Sequence, residues 1–445
     1  RVPGPPSYLP RVCGGLLMMF YAERDIDYRE AIQSFNGETV EVEWLESNEP
    51  SYILYTSGTT GKPKGVQRDT GGYAVALAAS IRHIYDAKAG DTIFTTSDIG
   101  WVVGHSYIVY APLIMGMTTL LYEGLPTAPD PGIWWSLVEK YNVNVMFSSP
   151  TAIRVLKKQD PKYIDKYDLS ALKHLFLAGE PLDESTHSWI SDAIGKPVHD
   201  HFWQTETGWP VLTPMPGIES TPAKYGSPSF PAYGYNLKVL RESDASKADA
   251  NEKGLVSIVP PLPPGCMSTI WGDDEQFVST YFSTFESTLV YSTFDWGIRD
   301  QDGYHFILGR TDDVINVAGH RLGTREIEEA IQNHGNVAEV AVVGVRDAVK
   351  GQMPIAFVVR KSLIDTCDLS HDETEQKEIM KEVDQSLGAI GRPRNVYFVS
   401  MLPKTRSGKL LRRSIQAIAE GRDPGDLTTL EDPAAIEEII KVFRS

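Results

Sequence analysis

The segment TSGTTGKPKG, residues 56–65, concentrates residues that suit polyphosphate chemistry. Glycine lets backbone N–H groups approach phosphate oxygens, hydroxyl groups donate hydrogen bonds, and lysine offsets the charge of a departing pyrophosphate. The segment is not a Walker A loop, because Lys62 is followed by Pro63 instead of Ser or Thr. An ordinary hairpin turn is the alternative interpretation. The candidate nucleotide-binding residues here are Thr56, Ser57, Gly58, Thr59, Thr60, Gly61, Lys62 and Lys64.

The elements that must position this loop follow from an alternation of short apolar runs and helical windows, which predicts an α/β fold with a doubly wound, mostly parallel sheet. The run YILYTSG begins the pattern, and a helix is predicted over Tyr73–Asp86. Ligands bind at the carboxyl ends of such strands, and polar, glycine-containing clusters follow most of the strands here. The further predicted strands are Thr92–Thr96, Thr118–Tyr122, Val143–Phe147, Leu172–Ala178 and Val198–Phe202.

The residue composition and the apolar pattern change twice in the second half of the chain. After Gly208 frequent Pro and Gly residues with short apolar pieces predict a small β subdomain. Beyond residues 310–313 the pattern predicts a compact α+β domain, so we divide the chain into residues 1–311 and 312–445. The predicted elements of this last domain are helix Arg325–His334, strands Val340–Val345, Ile355–Val359 and Val396–Met401, and two amphipathic helices, one with Ile379, Val383 and Leu387 and one with Leu411, Ile415 and Ile418.

Composition disfavours several classes of partner and cellular compartment. The 42 basic and 59 acidic residues give a formal charge of −17, which disfavours nucleic acid and anionic membranes as partners. Three distant cysteines without a CxxC spacing favour a reducing compartment, and the run VCGGLLMMFY is too short to span a bilayer. We expect a cytoplasmic protein with neither a nucleic-acid nor a membrane partner.

Six segments in order carry a resemblance to a known family. With TSGTTGKPKG they are AGEP at 178–181, WQTETG at 203–208, FDWG at 294–297, GRTDDVINVAGHR at 309–321 and PKTRSGK at 403–409. Together they resemble the adenylate-forming superfamily. DIGWVVGHSYIVYAPL at 98–113 resembles its acetyl-CoA and propionyl-CoA synthetase branch, and VQRDTGGYAVALA at 66–78 is similar to the propionyl type. The relatives carry a further α/β subdomain before the first loop, of which we expect only a remnant here.

The resemblance implies an enzyme that uses ATP and Mg²⁺ to convert a small carboxylate into an acyl-adenylate and then transfers the acyl group to coenzyme A. It assigns Thr205 and Glu206 to the α-phosphate and the metal, with Glu206 as a ligand suited to a hard cation. Asp295 would accept the ribose hydroxyls. The other residues that it assigns to ATP are Gly179, Glu180, Pro181, Trp203, Gln204, Arg310 and Arg321.

Lys409 of PKTRSGK is the residue that the resemblance assigns to adenylation, because an ammonium group can bridge the acyl carboxylate and the α-phosphate. A solvated lysine and a basic patch for nucleic acid are the alternatives, since Lys404, Arg406, Arg412 and Arg413 lie nearby. Acetylation of Lys409 would remove the charge and silence this step.

The resemblance also implies that the C-terminal domain rotates between the two half-reactions. Asp312 matches the hinge position, and Ala318 and Gly319 match the residues beside coenzyme A. Arg321 would then contact phosphate in one of the two arrangements.

Acyl size would be set by Trp203, whose ring closes the pocket in short-chain relatives. Ala178 stands where acetate-specific relatives tend to carry a larger valine, and Val102 and Val103 would flank the same pocket. One or two methylenes are worth only about 1 to 3 kcal/mol of discrimination, so propionate is favoured over acetate modestly.

Three alternatives stay open at this stage. An acetyl-CoA synthetase would share every motif, and an adenylating domain that serves a carrier protein would share most of them. A catalytically silent nucleotide-binding relative would retain the fold without turnover.

Overall fold

The computed structural model describes residues 8–13, 16–21, 25–57, 63–180, 182–311, 313–318, 320–361, 369–405, 410–428 and 430–444. The chain divides into two compact units, Arg1–Glu46 and Ser47–Ser445. In the first unit the strands Tyr8–Cys13 and Leu16–Tyr21 pair antiparallel, so the apolar run VCGGLLMMFY lies across a hairpin. A short helix follows at Tyr28–Gln33, with the Asp27 carboxylate accepting from its first N–H groups.

The centre of the second unit is a parallel sheet, as predicted. Within the described ranges it has five strands, each paired in parallel with its neighbours. Each strand is shorter than its apolar run by one to three residues. In spatial order the strands are Thr118–Leu120, Thr92–Thr95, Val145–Ser148, His174–Leu177 and Val198–Asp200.

Two apolar cores cover the two faces of this sheet, because successive side chains of a strand point to opposite faces. Phe147 and Phe176 belong to one core, and Met146 and Leu175 to the other. Strands buried on both faces explain why the sequence shows continuous apolar runs there.

The helices around the central sheet include Thr70–His83, which begins at Asp69, whose carboxylate accepts from Tyr73 N. A π-helical stretch, His105–Tyr110, lies between the helical segments Val102–Gly104 and Ala111–Ile114. Such π stretches occur often at functional sites. The remaining helices before residue 312 are Ile133–Lys140, Pro150–Lys157, Lys162–Asp165, Glu184–Ile194 and Asp274–Tyr281.

The run YILYTSG corrects one prediction, because it is not a strand of the parallel sheet. It forms Pro50–Ser57, which pairs antiparallel with Pro63–Asp69 and places Ser57 opposite Pro63. The strand Thr269–Ile270 adds to the far edge of this hairpin. Residues 58–62 lie outside the described ranges, so the interpretation of this segment as a phosphate-binding loop stays a prediction.

A small antiparallel β subdomain follows, as the Pro- and Gly-rich texture predicted. Its four strands, in spatial order, are Leu237–Leu240, Gly254–Ile258, Tyr291–Arg299 and His305–Arg310. Strands Leu212–Thr213 and Phe230–Pro231 form a separate short pair before it.

The last part of the chain is an α+β module, also as predicted. A mixed sheet contains Val314–Val317, His320–Gly323, Val337–Asp347, Gly351–Arg360 and Val396–Phe398. Helices Thr324–Gln332, Leu369–Leu387, Arg412–Ala419 and Ala434–Arg444 pack around it. The proposed domain boundary at 311/312 stays a prediction. No helix in the described ranges is both long and apolar enough to cross a membrane.

Candidate active site

Lys64, Glu206 and Tyr281 form a compact buried group that joins two of the predicted motifs. The Lys64 ammonium lies 2.7 Å from Glu206 Oε1, and both side chains are nearly buried. The Tyr281 hydroxyl donates to the same carboxylate oxygen at 2.8 Å, and Lys64 Nζ contacts both the hydroxyl and the face of the Tyr281 ring. Lys64 reaches this group from the strand Pro63–Asp69, where it pairs with Thr56 of the opposite strand.

The charge state of Glu206 follows from these neighbours. Burial alone would raise its pKa, but the Lys64 ammonium and the hydrogen bonds from Lys64 and Tyr281 outweigh burial and hold the pKa of Glu206 below its usual range. Burial and the adjacent carboxylate raise the pKa of Tyr281, so this phenol stays protonated as a donor. Glu206 is therefore an ionised carboxylate at neutral pH.

Gln204 connects this group to the predicted ribose site. Its amide nitrogen donates to Asp295 Oδ2 at 2.9 Å and to the carbonyl oxygen of Thr293 at 2.5 Å. Asp295 and Arg310 face each other across antiparallel strands, with Arg310 NH1 3.7 Å from Asp295 Oδ2. The structure thus brings Gln204, Asp295 and Arg310 together, as three separate motifs predicted.

Two stacked tyrosines complete the connection, and neither belongs to a predicted motif. The rings of Tyr281 and Tyr291 lie 5.1 Å apart and nearly parallel, and the Tyr291 hydroxyl contacts Gln204 Oε1 at 3.4 Å. We call the seven residues of this continuous set the carboxylate network: Lys64, Glu206, Tyr281, Tyr291, Gln204, Asp295 and Arg310.

Glu180 lies in a second polar group at the carboxyl edge of the parallel sheet. Arg154 contacts Glu180 at 3.1 Å and Asp183 at 2.9 Å, and Thr151 donates to Glu180. Gly179, just before Glu180, has φ +103°, a backbone conformation that side-chain-bearing residues rarely adopt. Arg154 was not predicted from the sequence, because it lies within an amphipathic helix without a motif of its own.

Asp200 is a second functional candidate that the sequence analysis missed. It ends the last strand of the parallel sheet, beside the nucleotide-loop motifs, and is buried with Oδ1 lacking a hydrogen-bond partner among the described residues. Burial raises its pKa to about 7, against the lowering influence of Arg325 and two backbone N–H groups. The sequence analysis placed Asp200 inside the predicted strand Val198–Phe202, outside every motif, so it assigned no role to this residue.

Most of the predicted acyl-pocket residues meet in one apolar cluster. Ala178 is buried in the core on one face of the parallel sheet, and Trp203 and Val103 pack against that core from its rim. The Trp203 ring lies 5.6 Å from the Tyr107 ring and 6.3 Å from the Phe147 ring. Val102 is also buried but does not belong to this cluster. Tyr107 and Phe147 are the wall residues that the sequence did not indicate.

The C-terminal candidates are only partly described. Ala318 lies in the two-residue loop between Val314–Val317 and His320–Gly323, with φ +51° and an exposed side chain. Tight hairpin loops favour positive φ, which a small residue such as Ala318 tolerates better than a bulky one. The backbone of Arg321 lies in the second strand. The predictions for Gly58, Thr59, Thr60, Gly61, Lys62, Pro181, Asp312, Gly319 and Lys409 lie outside the described residues.

The chemistry of the donor set suits Mg²⁺ that arrives with a nucleotide. Within the described part of the chain, no three His, Cys, Asp or Glu side chains gather closely enough to hold a metal ion by themselves. Mg²⁺ is typically bound by one or two carboxylates together with substrate phosphates, and Glu206 supplies one ionised carboxylate. The residues present therefore fit a nucleotide-borne Mg²⁺.

Comparisons with known proteins find matches over most of the chain. The model of the AMP-binding enzyme family matches residues 17–261, and that of the AMP-binding enzyme C-terminal domain matches residues 326–409. The propionate-CoA ligase of Escherichia coli (strain K12) is 62% identical, across 98% of this chain and 69% of that protein. The acetyl-coenzyme A synthetase of Pyrobaculum arsenaticum is 43% identical, across 94% of this chain and 62% of that protein.

Two solved structures share the fold. The anthranilate CoA ligase AuaEII in complex with anthranoyl-AMP superposes with a TM-score of 0.71 at 24% identity, covering 86% of this chain and 70% of that one. Acetoacetyl-CoA synthetase from Streptomyces lividans superposes with a TM-score of 0.79 at 22% identity, covering 93% and 62%. The first family model alone matches more than half of the chain, and the Escherichia coli relative matches nearly all of it. The chain therefore belongs to the AMP-binding enzyme family.

Proposed function

We propose that this protein is a short-chain acyl-CoA ligase that acts on propionate. It would join propionate to the α-phosphate of ATP, release diphosphate, and transfer the propionyl group from AMP to the thiol of coenzyme A. The observation that carries the proposal is the carboxylate network, which joins residues of four motifs in a chain 62% identical to a propionate-CoA ligase.

In the first half-reaction a carboxylate oxygen of the acid attacks the α-phosphorus, and diphosphate leaves with the electrons of the broken P–O bond. Asp295 and Arg310 would hold the ribose, and Thr205 would donate to the α-phosphate. Lys64 would pair with the leaving diphosphate once the nucleotide competes for its ammonium. Lys409, outside the described residues, would bridge the two reacting anions.

Mg²⁺, when bound with ATP, would neutralise phosphate charge as diphosphate leaves. Glu206 is the ligand that this chain offers, since its pKa is held low and it is therefore ionised. Lys64 and Tyr281 orient that carboxylate through contacts to Oε1.

In the second half-reaction the coenzyme A sulfur would attack the acyl carbonyl, and AMP would leave. Ala318 and Gly319 would lie beside the pantetheine, and Arg321 would contact phosphate after a rotation about Asp312. Acetylation of Lys409 would stop the first half-reaction and spare this one, because it removes the charge needed only for adenylation.

Propionate, as opposed to longer acids, is supported by the aromatic wall. Trp203, Tyr107 and Phe147 lie in mutual ring contact, and Tyr107, Phe147 and Ala178 belong to the core against which Trp203 packs. A side chain as small as that of Ala178 would leave space for one methylene beyond acetate. Acetate is the second candidate, because acetyl-coenzyme A synthetases are 43% identical to this chain.

The test separates the steps and the substrates. Diphosphate release should require both ATP and the acid, and thioester should form only when coenzyme A is added. The kcat/KM for propionate should exceed those for acetate and butyrate. Diphosphate release without a thioester would indicate an adenylating domain that serves another acceptor, and nucleotide binding without diphosphate release would indicate a silent relative.

A further inference from the structure

Arg68 is a fully buried arginine that none of the proposed roles uses. It lies on the strand Pro63–Asp69, four residues after Lys64, and has no exposed surface. Among the described residues it forms no ion pair with a carboxylate: its partners are two carbonyl oxygens, a phenol and two aromatic faces. Burying a cation without a paired carboxylate costs free energy, which hydrogen bonds to the cation must offset. We therefore ask what the hydrogen bonds of Arg68 hold in place.

The guanidinium group of Arg68 hydrogen-bonds to the backbone of the WQTETG segment. Arg68 NH2 donates to the carbonyl oxygen of Thr205, and Nε donates to that of Gly265 at 3.2 Å. NH1 approaches the Tyr52 hydroxyl at 3.4 Å. The planar fork of an arginine can make these bonds at once, which a lysine cannot.

The bond to Thr205 determines where the next peptide N–H points. In a trans peptide the C=O and N–H groups point in opposite directions, so a Thr205 carbonyl that faces Arg68 turns the Glu206 N–H away from it. Glu206 begins at that N–H, so the orientation of this peptide determines where the Glu206 side chain starts. A chain of contacts and bonds therefore runs from Arg68 through one peptide plane to the residue whose carboxylate would face the nucleotide.

The packing leaves the guanidinium little freedom. Gly208, in the same loop, has φ +76°, and a Cβ there would lie 2.5 Å from Arg68 Nε. Gly265 also has positive φ, and its carbonyl oxygen is one of the two acceptors. The positive charge reaches the neighbouring His105, whose pKa is lowered by burial and then by Arg68.

We propose that Arg68 is a positioning residue for Glu206: it holds the Thr205–Glu206 peptide in the orientation that presents the carboxylate to a nucleotide-bound divalent cation. The inference rests on the proposed function, since it concerns the same nucleotide. It differs from a purely structural role, because it makes cation affinity, and not only folding, depend on the arginine.

The test measures Mn²⁺ binding in the presence of ATP without any acid, by electron paramagnetic resonance of free Mn²⁺. Residues that orient a metal ligand typically change metal affinity by about 10- to 100-fold when replaced. We expect Arg68→Gln to raise the Kd for Mn²⁺ at least tenfold, and Arg68→Lys to raise it less. The Kd of ATP in EDTA should stay within twofold of wild type.

The controls separate positioning from stability. Glu206→Gln removes the ligand and should abolish the protein-dependent part of the Mn²⁺ signal change, which is what remains after the Mn²⁺ bound by the same ATP without protein is subtracted. Arg360→Gln breaks a partly buried arginine network, with Glu375 and Asp372 in the last module, and should lower Tm without changing the Kd for Mn²⁺. If Arg68→Gln does not fold, Arg68→Lys carries the test, with an expected rise of about threefold to tenfold.

An unchanged Mn²⁺ affinity in a folded Arg68 variant, with a loss of Tm like that of Arg360→Gln, would overturn the proposal. Failure of the proposed function would appear differently, because wild type itself would then bind no Mn²⁺ with ATP or release no diphosphate.

Discussion

At the scale of single residues, two carboxylates near one edge of the sheet have opposite electrostatic environments. Glu206 accepts from Lys64 and Tyr281, which keeps its pKa low despite burial. Asp200 has no cation in direct contact among the described residues, and burial raises its pKa to about 7. Pairs of titratable groups with separated pKa values are common in active sites. Glu206 is thus the residue suited to a metal, and Asp200 to a neutral hydrogen-bonding role.

The stability of Asp200→Asn relative to wild type should increase as pH rises. The folded-state pKa of Asp200 lies above that of an unfolded aspartate, so its stabilising contribution is complete below about pH 4 and is lost as pH rises to about 7. Asparagine does not titrate. The free energy of unfolding of Asp200→Asn relative to wild type should therefore increase from pH 4 to pH 8, by up to about 4 kcal/mol for three pKa units.

Urea unfolding at several pH values would measure this difference. Asp192→Asn is the matched control, because Asp192 is an exposed carboxylate in the neighbouring helix Glu184–Ile194. A difference that stays constant with pH for Asp200→Asn would show that Asp200 is ionised throughout.

Trp203→Gly should extend the range of acids that the enzyme accepts. Its ring lies against Tyr107 and Phe147, and removal opens space at the end of the cluster that holds Ala178. We expect the ratio of kcat/KM for valerate to that for propionate to rise about tenfold or more. Trp189→Gly, which removes an indole from the other face of the sheet, should leave this ratio unchanged. Continued exclusion of longer acids by a folded Trp203→Gly enzyme would place the acyl pocket elsewhere.

At the scale of elements, the two last strands of the parallel sheet carry a row of imidazoles. His174 and His199 lie 3.1 Å apart between ring nitrogens, and Phe176 stacks on His199 and on His201. Burial, then the nearby His174 and His187, lowers the pKa of His199 to about 3. The strand pairing therefore partly buries His174 and His199, and burial lowers the pKa of each imidazole.

His199→Phe should make the protein less sensitive to acid. A depressed folded-state pKa gives a contribution that is present above about pH 6.5 and is lost as pH falls towards 3. Between pH 7.5 and pH 5 the loss for wild type amounts to about 2 kcal/mol, and phenylalanine avoids it while still stacking on Phe176. Chemical denaturation at both pH values would measure it, with the exposed His83→Gln as control. Equal acid sensitivity of wild type and His199→Phe would contradict the prediction.

The elements differ in how far the sequence predicts them. The parallel sheet was predictable because its strands are buried on both faces and alternate with helices, a pattern that few other folds share. The run YILYTSG was assigned to that sheet incorrectly, because an apolar run does not reveal whether its partner is parallel or antiparallel. Its true partner, Pro63–Asp69, starts with a proline and carries polar residues.

The site residues likewise divide into those that the sequence predicts and those that it does not. Glu180, Gln204, Glu206, Asp295 and Arg310 were predicted because they lie in ordered motifs. Their partners were not predictable, since Tyr281, Tyr291 and Arg154 reach the site by tertiary packing from helices and strands without such motifs. Arg68 lies within the segment VQRDTGGYAVALA, but the sequence does not show that it is buried and donates to the Thr205 carbonyl oxygen.

At the scale of the whole molecule, the described residues of the last module make polar contacts with the preceding part of Ser47–Ser445. Arg325 NH1 donates to the carbonyl oxygen of Ile307 at 2.6 Å, and Lys253 pairs with Glu326 at 2.7 Å. Glu339 approaches Lys158 at 3.8 Å and also binds Lys404 of its own module at 2.7 Å. Partly exposed contacts of this kind can break at modest cost, which suits the proposed rotation of the module between two half-reactions.

The arrangement in the structure should serve adenylation. Lys404 and Arg412 lie on either side of residues 406–409 in the chain, and both interact electrostatically with the Arg154–Glu180 group. Against burial, Lys404, Lys158 and Arg154 lower the pKa of Glu339, which is the partner of Lys404. Burial lowers the pKa of Arg412, but Glu328, Asp313 and Glu180 together raise it. The double variant Arg325→Met with Lys253→Met removes two contacts that hold this arrangement. Their loss is worth about 1 to 2 kcal/mol, so adenylation should slow about tenfold.

Thioester formation from preformed propionyl-AMP should change less than twofold in the same variant, because that step uses the other arrangement. Rapid-quench measurement of each half-reaction would give the two rates separately. Arg241→Met, which breaks an exposed network inside the β subdomain, is the control and should alter neither rate. Equal slowing of both half-reactions by the double variant would mean that these contacts maintain the fold of the module and do not select between its positions.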